Sequence, residues 1–184
     1  PSTVACDSYN RYKEDFDLAK SLNTNAIRIS IEWARVEPEN GVFDEKEINH
    51  YKKVLKYAKS IGLKTYVTLH HFTNPIWFTK LGGWTNGKSN QYFARYCKKC
   101  AVEFDEYIDT YLTINEPQVY TLMSYFLGVW PPNKKNYWYS LTVQLNFIKA
   151  HKMAYQQIKQ VSYKPVGIVK NVVWYEAHSK KKHN

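Results

Sequence analysis

The stretch YLTINEPQVY, residues 111–120, ends a short apolar run on an amide and a carboxylate, Asn115 and Glu116, and stops it with Pro117. A carboxyl group at the rim of an apolar core is partly desolvated, which favours its protonated form. Such a group suits proton donation near neutral pH. Pro117 offers no backbone N–H to hold the carboxylate, and it is expected to bias Glu116 toward extended backbone. Asn115 supplies one donor and one acceptor, the pair a ligand hydroxyl needs. Strict alternation would send Asn115 and Glu116 to opposite faces, so both serve one pocket only if the strand ends or bulges there. A solvated strand-end carboxylate is the plain alternative for Glu116.

Two other strand-like runs end in the same way. AIRISIEW carries Arg28 and Ser30, and KTYVTLHHF ends on His70 and His71. The adjacent histidines should point apart, so at most one enters a shared pocket, where a ring nitrogen would bond a ligand hydroxyl. The other would be a core histidine. Arg28 could steer and ionise a nearby carboxylate, or form a structural salt bridge to Glu32 or Asp7. Lone buried charges are costly, so polar groups at three equivalent strand ends are better explained by one pocket than by three accidents.

The elements that must position these residues follow from apolar periodicity. YNRYKEDFDLAKSLN reads as helix with Tyr12, Phe16, Ala19 and Leu22 on one stripe. DEKEINHYKKVLKYAKSIG is an amphipathic helix with Asp44 as N-cap and Gly62 as its stop. NQYFARYCKKCAVEFDEY, PQVYTLMSYFLG and a segment from about Ser140 to Gln160 read as further helices, with Pro117 in the first turn of the second. PVGIVKNVVWYEA closes as a fourth strand. Strands separated by helices imply right-handed crossovers and a parallel α/β sheet. Arg28, His71 and Glu116 lie 43 and 45 residues apart, a repeating βα rhythm without sequence repetition. Part of a (β/α)8 barrel and a doubly wound open sheet both fit. The absence of G-x-G-x-x-G and of a phosphate-binding loop weakens the second.

Composition narrows the function classes. The chain of 184 residues carries a formal charge of +10, which first suggests nucleic acid. The lysines, however, spread over helix faces and concentrate only in the terminal SKKKHN, so nucleic-acid binding is disfavoured. No run approaches the ~20 apolar residues of a membrane helix. Three cysteines, Cys6, Cys97 and Cys100, form no disulfide framework, and one C-x-x-C lacks the partners a zinc site needs. No metal or cofactor is expected.

CDSYNRYKED, NAIRISIEWARVEP, YVTLHHFTNPIWF, LGGW and TINEP, in this order and spacing, resemble glycoside hydrolase family 1, the retaining β-glycosidases. The resemblance covers essentially residues 5–175. It implies a partial (β/α)8 TIM barrel, with the four strands as about the second to fifth of eight and residues 1–184 as one incomplete domain. It implies Glu116 as general acid/base, Asn115 on the sugar 2-hydroxyl, His71 on the glycone and Arg28 against the nucleophile. Phe72 stands where many members have tryptophan, and Thr73-Asn74 replaces a commoner Asp-Leu pair. The (I/V)-T-E-N-G motif of the nucleophile does not occur in these residues, and neither motif nor spacing supports Glu176 as a substitute. The implied partner is a β-linked glycoside or oligosaccharide, with the chain as given inactive alone and prone to self-association through exposed sheet edges. A non-catalytic carbohydrate-binding or scaffold remnant is the alternative. Phe72, Trp77, Trp84 and Trp130 are candidates for stacking on pyranose C–H faces, with core packing as the alternative for each.

Overall fold

The computed structural model describes residues 5–176. Four parallel strands form one sheet in the order β1 (Ala26–Ser30), β2 (Lys64–His70), β3 (Thr110–Asn115) and β4 (Val166–Val169). A doubly wound sheet reverses its strand order at a switch point; strictly sequential order is the winding of a barrel. Four main helices alternate with the strands: α1 (Ser8–Ser21), α3 (Glu45–Ser60), α5 (Ser89–Phe104) and α7 (Tyr137–Lys159). Short helices α2 (Trp33–Val36), α4 (Ile76–Lys80) and α6 (Pro117–Thr121) follow β1, β2 and β3. A π-helical turn, Leu122–Phe126, continues α6.

Local chemistry sets these boundaries. The Asp44 side chain accepts from Lys46 N at 2.8 Å and Glu47 N at 3.2 Å, satisfying two orphan donors at the start of α3. Gly62, at φ +76°, ends the helix in the left-handed region open to glycine. The run AIRISIEW leaves the sheet at Ser30, because Glu32 caps α2 by accepting from Ala34 N at 3.2 Å. The fourth strand is shorter than expected. Residues 170–176 have no regular structure, and Val172, Trp174 and Tyr175 are exposed. Among the described residues nothing pairs with the far side of β4, so its ladder has no second partner. Leu22, placed on the α1 stripe by periodicity, lies past the helix end and is exposed. The lysine-rich SKKKHN lies outside the described residues.

The core lies between the outer sheet face and the helices. Val67, Leu69, Tyr111 and Ile114 meet Phe93, Tyr96, Phe104 and Phe147 there. Cys97 and Cys100 are fully buried on α5, and burial pushes both thiols up, so they act as small apolar side chains. Glu37 is the exception in this core, a carboxylate at 0% exposure. It accepts from Trp33 Nε1 at 2.8 Å and Gly41 N at 2.8 Å, and it pairs with Arg95.

Candidate functional site

The C-terminal ends of β1, β2 and β3 are tied together by their inward polar side chains. Arg28 donates through Nε to Thr68 Oγ1 at 2.9 Å and through a terminal nitrogen to Asn115 Oδ1, spanning three strands. Ser30 Oγ and His71 Nδ1 are 3.0 Å apart. Asn115 is buried, whereas Arg28 and His71 are open on the inner face. Burial, chiefly, and the Arg28 cation push the His71 pKa down, and the Glu116 carboxylate pulls it partly back. The imidazole is therefore neutral at neutral pH, with Arg28 and Glu116 both close enough to act on it. The salt bridge considered for Arg28 does not form. Glu32 instead accepts from Thr73 Oγ1 at 2.6 Å, and Asp7 accepts from Asn10 Nδ2 at 2.9 Å.

A break in strand alternation makes this cluster possible. Between β3 and β4, Leu112 pairs with Gly167 but Asn115 pairs with Val169, three residues against two. On β2 the ladders are in regular register, and the side chains of Thr68 and His71 reach Arg28 and Ser30 on β1. Without the extra residue, Asn115 would face the helices. Glu116 is not extended, contrary to the expectation from Pro117. It sits at φ 41°, ψ 60°, in the left-handed region, while its N–H still donates to Val169 O at 2.8 Å. Pro117 is the first residue of α6, so the chain must turn from strand to helix at Glu116. Pro117 disfavours the right-handed well there, and an extended residue would prolong the strand. The left-handed well turns the chain, at a cost of about 1–2 kcal/mol for a residue with Cβ. Phe72, directly after His71, is left-handed as well, at φ 73°.

His70 and His71 diverge. His70 is 1% exposed, ringed by Trp84, Phe93, Tyr120 and Phe147 at centroid distances of 5.1–6.2 Å. Burial pushes its pKa down to about 3. Its Nε2 lies 3.2 Å from Asn74 Oδ1, which also accepts from Trp84 Nε1 at 2.9 Å. The Asn74 amide donates to Tyr120 OH at 2.9 Å. This network clamps the loop carrying His71 and Phe72 to the helix that starts after Glu116. Asn74 and Thr68 position the site, yet nothing in their local sequence singles them out.

The four aromatic candidates divide. Phe72 and Trp130, with ring centroids 5.1 Å apart, line an open cavity of about 620 Å³ together with Tyr120. Trp84 is fully buried in the core, and Trp77 packs against it through Trp33 and Phe78 while donating to Glu37 O at 2.8 Å. The Trp84 indole is thus part of the core, and the Trp77 indole is partly buried against it and does not line the cavity. Glu176 is exposed, outside any strand, and accepts from Trp174 Nε1 at 3.1 Å. Among the described residues no group of three or more His, Cys, Asp or Glu gathers as a metal site.

The fold has close counterparts. A β-glucosidase from Agrobacterium sp. is 34% identical over 170 residues, covering 91% of this chain and 37% of that protein. The family 1 β-glucosidase from Thermotoga maritima, solved with isofagomine lactam, superposes with a TM-score of 0.92 at 29% identity, over 96% of this chain and 40% of that one. A β-glycosidase from Pyrococcus horikoshii superposes at 0.89 with 35% identity, over 96% and 41%. The chain thus spans about two fifths of the length of these relatives. The sequence profile of glycosyl hydrolase family 1 matches residues 2–184, and with the sequential parallel sheet and its polar strand ends this places the chain in that family.

Proposed function

We propose that these residues form the acid/base side of a retaining β-glycosidase site, with a β-linked glucoside or related glycoside as substrate. The observation that carries the reading is the link from Arg28 to Asn115 across three strand ends, with His71 and Glu116 beside it. Its hydrogen bonds assign the remaining capacity. Asn115 Oδ1 is taken by Arg28, leaving its amide N–H groups to donate to a sugar hydroxyl. His71 Nδ1 is engaged with Ser30, leaving Nε2 for a second hydroxyl. Arg28 keeps further N–H donors for an anionic group facing it.

In the first step a second carboxylate attacks the anomeric carbon while protonated Glu116 gives its proton to the departing glycosidic oxygen. In the second step Glu116, now a carboxylate, takes a proton from water as that water attacks the same carbon and releases the second carboxylate. The two carboxyls stand about 5–5.5 Å apart in such sites. These 184 residues supply one; we assign the other to chain outside them. The chemistry needs no metal or cofactor. Among the described residues no helix is long and apolar enough to cross a membrane. The open edges of β1 and β4 make self-association the expected behaviour of the 184-residue chain by itself.

The test has two arms. The 184-residue chain should bind cellobiose saturably, with His71→Ala and Asn115→Ala each weakening binding by about 1–2 kcal/mol, and should not turn over aryl β-glucosides at enzyme-like rates. In a longer chain that also carries the second carboxyl, Glu116→Gln should lower kcat about 10²–10⁴-fold. Enzyme-like turnover by the 184 residues alone, indifferent to Glu116→Gln, would refute the proposal. Binding without turnover in the longer chain would favour the non-catalytic remnant.

A further inference from the structure

The cavity that Phe72 and Trp130 line has a composition of its own. Phe72, immediately after His71, and Tyr120, one helical turn beyond Glu116, form its inner wall, with ring centroids 6.2 Å apart and planes within 13°. Trp130 and Tyr139 extend the aromatic surface, with Tyr125 almost fully buried behind it. Two lining residues, Lys80 and Lys134, are cationic, and none is acidic. Both lysines are exposed, and neither forms an ion pair with another described residue.

We propose that this cavity receives the leaving-group side of the substrate and selects a planar aromatic leaving group bearing a negatively charged substituent. The inference rests on the proposed glycosidase reading, because the cavity is taken as the leaving-group side through Phe72, next to His71, and Tyr120, one helical turn after Glu116. The argument is chemical. Phe72, Trp130, Pro131 and Pro132 offer apolar faces on which a flat ring can rest, with Thr73, Asn74, Thr79 and Thr85 as polar neighbours. Two lysines without a lining carboxylate create a local positive potential that an anionic substituent satisfies and a neutral one does not. A carboxylate on the far side of the ring from the phenolic oxygen would sit at the lysine rim while that oxygen faces Glu116. Lysine is a flexible point charge, so the site would read charge rather than a fixed bidentate geometry.

The experiment titrates the 184-residue chain with 4-hydroxybenzoate and with the neutral 4-hydroxybenzyl alcohol, reading ligand-observed NMR and tryptophan fluorescence. Each rim lysine is expected to contribute about threefold, so the anion should bind about tenfold more tightly than the alcohol. The double variant Lys80→Gln/Lys134→Gln should reduce that preference to within about twofold, and Trp130→Ala should weaken both ligands. Equal affinities in the wild type, no binding of either, or a preference that survives the double variant would each overturn the inference. Tighter binding of glucose 6-phosphate at Trp130 would also overturn it, in favour of an anionic sugar. A parallel cellobiose titration with His71→Ala reads the sugar side separately. Its failure alongside an intact anion preference would remove the glycosidase reading and leave an anionic aryl site. The reverse outcome would remove only this inference.

Discussion

Replacing His70 by phenylalanine should make the protein less sensitive to acid. The wild-type imidazole is buried and neutral, with a pKa pushed down to about 3 against 6.5 for an ordinary histidine. The unfolded chain therefore binds a proton that the native state refuses as pH falls below 6.5. Stability from this group is present above pH 6.5 and is lost progressively down to about pH 3. Each pH unit in that window costs about 1.4 kcal/mol, so the loss is about 2 kcal/mol at pH 5 and about 5 kcal/mol in the limit. His70→Phe abolishes the titration but forfeits the bond to Asn74, worth about 1 kcal/mol. Asn74 Oδ1 keeps its bond from Trp84 Nε1. The variant should thus be about 1 kcal/mol less stable than wild type at pH 7 and about 1 kcal/mol more stable at pH 5. Urea denaturation of both proteins at pH 7, 6 and 5 measures the crossing. His50, His71 and His151 also have lowered pKa values, but they are common to both proteins and largely cancel in the difference. Parallel pH profiles would show that His70 is not protected from protonation, and the reasoning from burial would be wrong.

Two further outcomes follow from buried or capping carboxylates. Arg95→Met should destabilise the fold by about 3 kcal/mol, because it leaves the Glu37 carboxylate buried without its cation; adding Glu37→Gln should recover part of the loss in urea denaturation. Asp44→Ala should cost about 1 kcal/mol through the lost cap of α3, whereas Asp44→Asn, which keeps an acceptor oxygen, should cost clearly less in the same assay.

The elements were legible where one local signal dominated. The α3 helix shows its apolar stripe, its Asp44 cap and its Gly62 stop within one short stretch, and all three stand in the structure. The long helix read from about Ser140 to Gln160 is present, beginning at Tyr137 and ending at Lys159. Signals that depend on a neighbour were weaker. The apolar run after Pro165 reads as a long strand, yet only Val166–Val169 pair, because a ladder exists only where another strand lies alongside. The indole of Trp84 carries the same local signal as that of Trp130, and packing alone separates core from cleft.

The amino-acid order by itself determined the alternation of strands and helices, the polar residues at three strand ends and the stop imposed by Pro117, since these depend on side-chain type and spacing along one chain. Tertiary structure decided which of His70 and His71 joins the polar cluster, which indoles reach the cleft, and how Asn115 comes to meet Arg28 with Glu116 near His71. The placement of Asn115 depends on an extra residue taken up between β3 and β4, and that of Glu116 on a left-handed turn. The extra residue reflects the mutual fit of β3 and β4, and neither strand contains the partner against which that fit is made.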